Sequence, residues 1–207
     1  ITHMYSMPHS AHIQALADAD CVTLRKTLAR AASAQICRKI ITMFGKYHTK
    51  VILDVDGQAL RAGIKAHPNI IKPNIHELSE LVGRELSGID EVVAAARDIN
   101  RGGVEIVLVS MGARGILLVS NGDEYMAVPP EVKVENTIGA GDSSVAGFVL
   151  GQVNGKDLSE SLIYAAAAGT ATTIRQGTAL CQEEDFLKLV PQVRLNVLSR
   201  GQENDPR

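Results

Sequence analysis

The segment Asn136-Thr137-Ile138-Gly139-Ala140-Gly141-Asp142-Ser143-Ser144 decides the reading of this chain. It follows a β-rich run and leads into Val145 to Leu150, a small-residue apolar stretch that predicts a helix. Glycines at such a junction let the backbone come close to a ligand, because no Cβ stands in the way. The first turn of a helix carries unsatisfied N–H groups and a partial positive charge, which suits an anion. Asp142 places a carboxylate in that turn. Amides of Ala140, Gly141 and Asp142 to hold charge, with a carboxylate to take a proton, suit phosphoryl transfer. A plain structural account fits the same residues: Gly-Ala-Gly as a tight turn and Asp142 as a first-turn acid.

Around this segment, helical and strand patterns alternate. Ser33 to Tyr47 carries Ile36, Ile40, Ile41 and Phe44 on one stripe and predicts a helix. Val51 to Val55 and Asn69 to Lys72 predict strands, and Gln58 to Ala66, Ile75 to Val82 and Asp90 to Asn100 predict helices. Glu105 to Ser110 is the strongest strand, an apolar run of the buried parallel type. Ile116 to Ser120 and Glu124 to Val128 flank Asn121-Gly122-Asp123, a hairpin signal. Ser159 to Ile174 and Glu183 to Val190 complete the helices. The alternation predicts an α/β fold with a doubly wound, mainly parallel sheet, whose ligands sit at the carboxyl ends of strands. One domain over residues 1–207 is expected, with residues 1–16 and 199–207 as tails.

A net charge of −2 and a pI near 6.3 point to neither a nucleic acid nor a membrane surface as partner. The absence of tryptophan argues against a stacking platform for single strands or glycans. Cys21, Cys37 and Cys181 have no metal-ligand spacing and fit reduced thiols in a cytoplasmic protein. His3, His9 and His12 match no common metal site.

Three further motifs have both a structural and a functional reading. Lys72-Pro73-Asn74-Ile75-His76-Glu77 ends a strand and opens a helix, with Asn74 and Glu77 spaced as a capping box. Ser110-Met111-Gly112-Ala113-Arg114-Gly115 is a turn between two strands, and Arg114 is either solvated or within reach of an anion. Ala165 to Ala168, with Gly169, Thr170 and Ala171, form a helix face almost without bulk, suited to close helix packing.

Asn-Thr-Ile-Gly-Ala-Gly-Asp-Ser resembles the second signature of the ribokinase-like carbohydrate kinases, the PfkB family. The resemblance implies the ribokinase-like fold, without the N-terminal lid. It implies Asp142 as catalytic base, with Gly139, Ala140 and Gly141 forming the anion hole. It implies ATP and magnesium as cofactors. Asn74 and Glu77, an Asn-x-x-Glu motif, would position magnesium and phosphates through water, and Lys72 belongs to the same Lys-Pro-Asn run. Ser110, Gly112 and Gly115 would lie against the nucleotide phosphates, joined by Thr137 and Gly177 as nucleotide-binding candidates. The loop Arg175-Gln176-Gly177-Thr178 would lie near the adenine and a monovalent-cation site whose ligands are largely backbone carbonyls. Arg175 and Ala179 depart from the residues expected there.

The start at Asn136 and the continuation Ser143-Ser144-Val145 resemble the phosphosugar branch: 1-phosphofructokinase, the minor 6-phosphofructokinase and tagatose-6-phosphate kinase. Nucleotide and phosphosugar are then the expected partners, and a homodimer is an assembly the resemblance admits. It covers about residues 48 to 195 and breaks down upstream. There Lys26-Thr27-Leu28-Ala29-Arg30-Ala31 replaces a glycine- and proline-bearing turn at the sugar end. That break keeps open a second expectation, a non-catalytic nucleotide-binding remnant or pseudokinase of the same fold. A relative acting on a vitamin or nucleoside is a third.

Overall fold

The computed structural model describes residues 21–25, 34–47, 49–177 and 179–201. The upstream segment 26–31, the stretch 1–16 and Thr178 lie outside them. The chain divides into two compact units, Ile1–Val107 and Leu108–Arg207.

In the first unit, described strands and helices alternate as β1 (Cys21–Arg25), α1 (Ala34–Phe44), β2 (Lys50–Asp54), α2 (Gly57–Ile64), β3 (Ile70–Ile71), α3 (Ile75–Val82) and α4 (Ile89–Arg101), before β4 (Ile106–Ser110), within which the division falls. β1 pairs with β2, β2 with β3 and β3 with β4, all parallel. Val51, Ile52 and Leu53 are fully buried, as a parallel strand covered on both faces requires. On α1 the stripe buries Cys37, Ile41 and Phe44 and half-buries Ile36 and Ile40.

β3 is shorter than the four residues its pattern predicts, for a reason visible at both ends. Asn69 accepts the Val51 amide through Oδ1 at 2.8 Å, so its side chain supplies a bond a strand backbone would otherwise make. Pro73 has no N–H to extend the ladder. β1 escapes the sequence pattern because only Leu24 among its five residues is buried.

The second unit continues from β4 through β5 (Ile116–Ser120), β6 (Asp123–Val128), α5 (Ala140–Val153), α6 (Leu158–Thr173), α7 (Glu183–Leu189) and β7 (Arg194–Ser199). β5 and β6 form an antiparallel hairpin closed by Asn121 (φ 46°) and Gly122 (φ 90°). Two left-handed residues are what a type I′ turn demands. β7 pairs antiparallel with β6, with a register shift at Glu124/Tyr125. It was not expected from sequence: its residues are exposed or half-buried, so no alternation marks it. The Gly201 amide donates to Asp123 Oδ1 at 3.1 Å, just beyond it. Within each unit the strands pair in chain order, β1 to β4 in the first and β5 to β7 in the second.

Between β6 and α5, residues 129–139 form neither helix nor strand, with Pro129-Pro130 leading from the strand into the signature loop. Pro129 and Pro130 cannot donate to a ladder. Downstream of them, the Glu135 and Asn136 amides donate instead to the Thr173 carbonyl, at 2.8 and 3.2 Å.

α5 and α6 pack backbone against backbone. A Cβ on Gly147 would fall on the Tyr164 carbonyl and 2.8 Å from the Ala168 Cβ. One on Gly151 would lie 2.8 Å from the Ser161 Cα, and one on Gly169 would lie 3.3 Å from the Ala140 carbonyl. This explains why neither helix shows a polar face in its sequence: α6 is buried continuously from Ala165 to Thr172. Gly147→Ala sets a gain of roughly 1 kcal/mol in helix propensity against overpacking of typically about 1–3 kcal/mol. Because the obstacle is a backbone carbonyl, overpacking should win. Urea denaturation should show a lower midpoint, and an unchanged or raised midpoint would mean that the helices separate freely.

Candidate functional site

Gly139 caps α5 with φ 82°, a left-handed conformation, and a Cβ there would meet Leu180 Cδ2 at 2.6 Å. The left-handed backbone calls for glycine, whereas the exposed Leu180 side chain could swing aside. Ala140, Gly141 and Asp142 form the first helical turn, where the amides gather at the positive end of the helix dipole. One of them, on Ala140, reaches the Thr137 carbonyl at 3.3 Å. Asp142 is half-buried. Beneath the turn, Thr172 donates to the buried Ser143 Oγ at 2.7 Å, and Ser144 Oγ donates to the Ala140 carbonyl at 2.9 Å. The candidate base thus stands on a turn held from below by α6.

Asn136 braces the turn from the side. Its Oδ1 accepts the Ile138 amide at 3.0 Å, while its Nδ2 donates to the Gly177 carbonyl. The opposite amide orientation would set oxygen against oxygen and N–H against N–H, so the partners fix the assignment. Arg175 pairs with Asp185 of α7 through both Nε and a terminal nitrogen. The Cys181 amide donates to Thr172 Oγ1 at 3.0 Å. Burial and the Asp185 charge push the Cys181 thiol up, which keeps it protonated at neutral pH. Thr137, Gly139, Ala140, Gly141, Asp142 and Gly177 therefore belong to one braced cluster.

In the same unit, Ser110, Gly112 and Gly115 sit at the β4–β5 connection. The Met111 amide donates to the Gly115 carbonyl and the Gly115 amide to the Gly112 carbonyl, both at 2.9 Å. A Cβ on Gly115 would strike the Ala127 carbonyl of β6, so packing alone accounts for that glycine. Gly112 has φ 60° and open space around it, so only its backbone conformation calls for glycine. Ser110 is half-buried and Arg114 is exposed.

Lys72, Asn74 and Glu77 lie together at the β3–α3 junction of the first unit. The capping box forms as the spacing predicts: Asn74 Oδ1 accepts the His76 and Glu77 amides, and Glu77 Oε2 accepts the Asn74 amide, each at 2.9 Å. Lys72 Nζ lies 3.3 Å from Asp54 Oδ1, with the side chains 6% and 8% exposed. Strand register dictates this pair, since Leu53 aligns with Ile71 and the next residues on each chain are Asp54 and Lys72. The sequence reading passed over Asp54, although an aspartate closing a buried apolar strand is itself a signal. It also passed over Thr172, which no pattern distinguishes.

Among the described residues, no group of three or more His, Cys, Asp or Glu is placed to hold a metal, and no helix is long and apolar enough to cross a membrane. All three cysteines are free thiols.

A mainly parallel α/β sheet and a glycine-capped helix bearing an aspartate in its first turn agree with the ribokinase-like class. The chain belongs to the pfkB family of carbohydrate kinases, whose profile matches residues 2–185. It is 35% identical over 179 residues to a 1-phosphofructokinase of Rhodobacter capsulatus, covering 86% of this chain and 57% of that protein. It is 39% identical over 153 residues to the ATP-dependent 6-phosphofructokinase isozyme 2 of Escherichia coli strain K12, covering 73% of this chain and 50% of that protein. The crystal structure of Escherichia coli phosphofructokinase-2 in complex with potassium superposes with a TM-score of 0.77 and 32% identity, covering 90% of this chain and 64% of that one. This chain thus spans about half to three fifths of the two curated relatives.

Proposed function

We propose that this chain carries the nucleotide-binding and proton-accepting machinery of an ATP-dependent phosphosugar kinase. The observation that carries the reading is Asp142 in the first turn of α5, beside the Gly139–Gly141 backbone. The acceptor would be fructose 1-phosphate, fructose 6-phosphate or tagatose 6-phosphate, in keeping with the phosphofructokinase names of its relatives. A sugar hydroxyl oxygen bonds to the γ-phosphorus of ATP while the bond to the β-phosphate bridge breaks. Its proton passes to the Asp142 carboxylate, and ADP and a sugar bisphosphate leave. The amides of Ala140, Gly141 and Asp142 stabilise the charge on the moving phosphoryl group.

Magnesium fits this arrangement as an ion carried on phosphate oxygens and water rather than in a protein cage. Glu77, already oriented by the capping box, would contact it through water. When bound, the ion neutralises phosphate charge. Ser110, Gly112, Thr137 and Gly177 line the nucleotide in this reading. Lys72 serves it by tying β2 to the Pro73-Asn74 turn through Asp54. A cytoplasmic setting suits the ATP requirement and the free thiols.

MgATP or MgADP should stabilise the chain by mass action, about 2.7 kcal/mol at a hundred times Kd. That corresponds to a melting shift of roughly 5–11 °C for a chain of this size. A concentration-dependent shift by differential scanning fluorimetry is the expected result; folded protein indifferent to millimolar nucleotide would overturn the reading. Nucleotide binding without bisphosphate formation, in a preparation carrying the family's full length, would favour a non-catalytic remnant.

A further inference from the structure

Thr172 lies near the end of α6 and is only 1% exposed. Three pieces of chain around the candidate base meet on its side chain. Its hydroxyl donates to Oγ of Ser143, the residue after Asp142, at 2.7 Å, and accepts the Cys181 amide at 3.0 Å. Its methyl carbon stands 3.9 Å from the point where a Cβ of Gly139 would fall, and the side chain of Leu180, the neighbour of Cys181, reaches the same point. A helical threonine ordinarily gives its hydroxyl to the carbonyl four residues back. Thr170 does this, donating to the Ala166 carbonyl at 2.8 Å. For Thr172 the matching carbonyl, of Ala168, is farther than Ser143, at 3.2 Å. With Thr172 and Ser143 both buried, water does not readily replace the bond between them.

We infer that Thr172 is a positioning residue for the nucleotide phosphates, fixing the Gly139–Asp142 amides relative to the 180–181 segment through its hydroxyl. It acts through the turn and touches neither the nucleotide nor the reacting atoms. One hydroxyl suffices for two pieces of chain because it gives one hydrogen and still accepts an amide. The inference rests on the nucleotide-binding reading above.

The test is the MgATP affinity, by isothermal titration calorimetry, of the wild-type chain and of Thr172→Val, Thr172→Ser and Thr170→Val. Thr172→Val removes the hydroxyl and should bind roughly tenfold more weakly, the scale of one lost hydrogen bond. Thr172→Ser keeps the hydroxyl and should stay within about threefold of the wild type. Thr170→Val removes a hydroxyl whose bond stays inside the same helix, so it controls for softening of α6 and should bind as the wild type does. Wild-type affinity in Thr172→Val would overturn the inference and leave the proposed function standing. Equal losses in Thr170→Val and Thr172→Val would overturn it too, as would a serine variant as weak as the valine one, which would credit the methyl group. Absence of nucleotide binding by the wild type would remove the proposed function, and this inference with it. Should Thr172→Val not fold, Ser143→Ala removes the same bond from the other side and takes its place in the comparison.

Discussion

Asp142→Asn should lower turnover by about 10²–10⁴-fold in an active preparation carrying this sequence, the contribution typical of a positioned general base. The substitution keeps the shape of the side chain and removes its capacity to take a proton. It also removes a negative charge from a helix N-terminus, worth only about 0.3–1 kcal/mol, so the protein should stay folded. Nucleotide affinity should change little, because the backbone amides of the turn remain in place. The decisive pattern is therefore a fall in kcat with a nearly constant nucleotide KM. Near-normal turnover by a folded variant would return Asp142 to the role of a first-turn acid. A fall confined to nucleotide binding would assign it to the phosphates instead.

Lys72→Met should be the most destabilising change in the first unit. It leaves the Asp54 carboxylate in a site where the side chain is only 8% exposed, with its ammonium partner gone. Removing one member of a buried pair costs about 3–5 kcal/mol, because the other charge stays desolvated. For a chain of this size the melting temperature should fall by roughly 6–20 °C. The double variant Lys72→Met/Asp54→Leu removes both charges and should regain most of the loss. Denaturant midpoints of the three proteins test this. A single variant as stable as the parent would show that water reaches Asp54 and solvates it. A double variant no better than the single one would show that the loss comes from packing rather than from an uncompensated charge.

Elements whose signal is local were readable from the residues alone. Asn121-Gly122 announces its hairpin because few pairs take two left-handed residues in succession. Asn74 and Glu77 announce the start of α3 because the bonds they make lie within one turn. Ile41 and Phe44 reveal the buried side of α1 through their spacing. What stayed hidden depends on partners far along the chain. The contact of Lys72 with Asp54 exists only once β2 and β3 adopt their register. Thr172 is an unremarkable helical threonine until folding places its hydroxyl between Ser143 and the Cys181 amide. β7 hides for another reason: an edge strand that buries little has no need of alternation. At the candidate site, the Gly139–Asp142 turn was legible and its bracing was not. The bracing is made of side chains such as Asn136, whose bonding depends on where Gly177 comes to lie.

The seam between α5 and α6 leaves evolution and engineering a single direction. Glycine is the smallest residue, so any substitution at Gly147, Gly151 or Gly169 adds atoms where backbone or serine atoms already stand. Drift in this part of the chain is thereby pushed outward, to positions such as Ala146 and Val153 that face solvent. A designer seeking heat resistance would ordinarily begin by exchanging helical glycines for alanine, a change that often helps. Here that recipe would pry apart the two helices that hold the Asp142 turn. Stabilising changes in these two helices are better sought at exposed positions such as Ala146 and Val153.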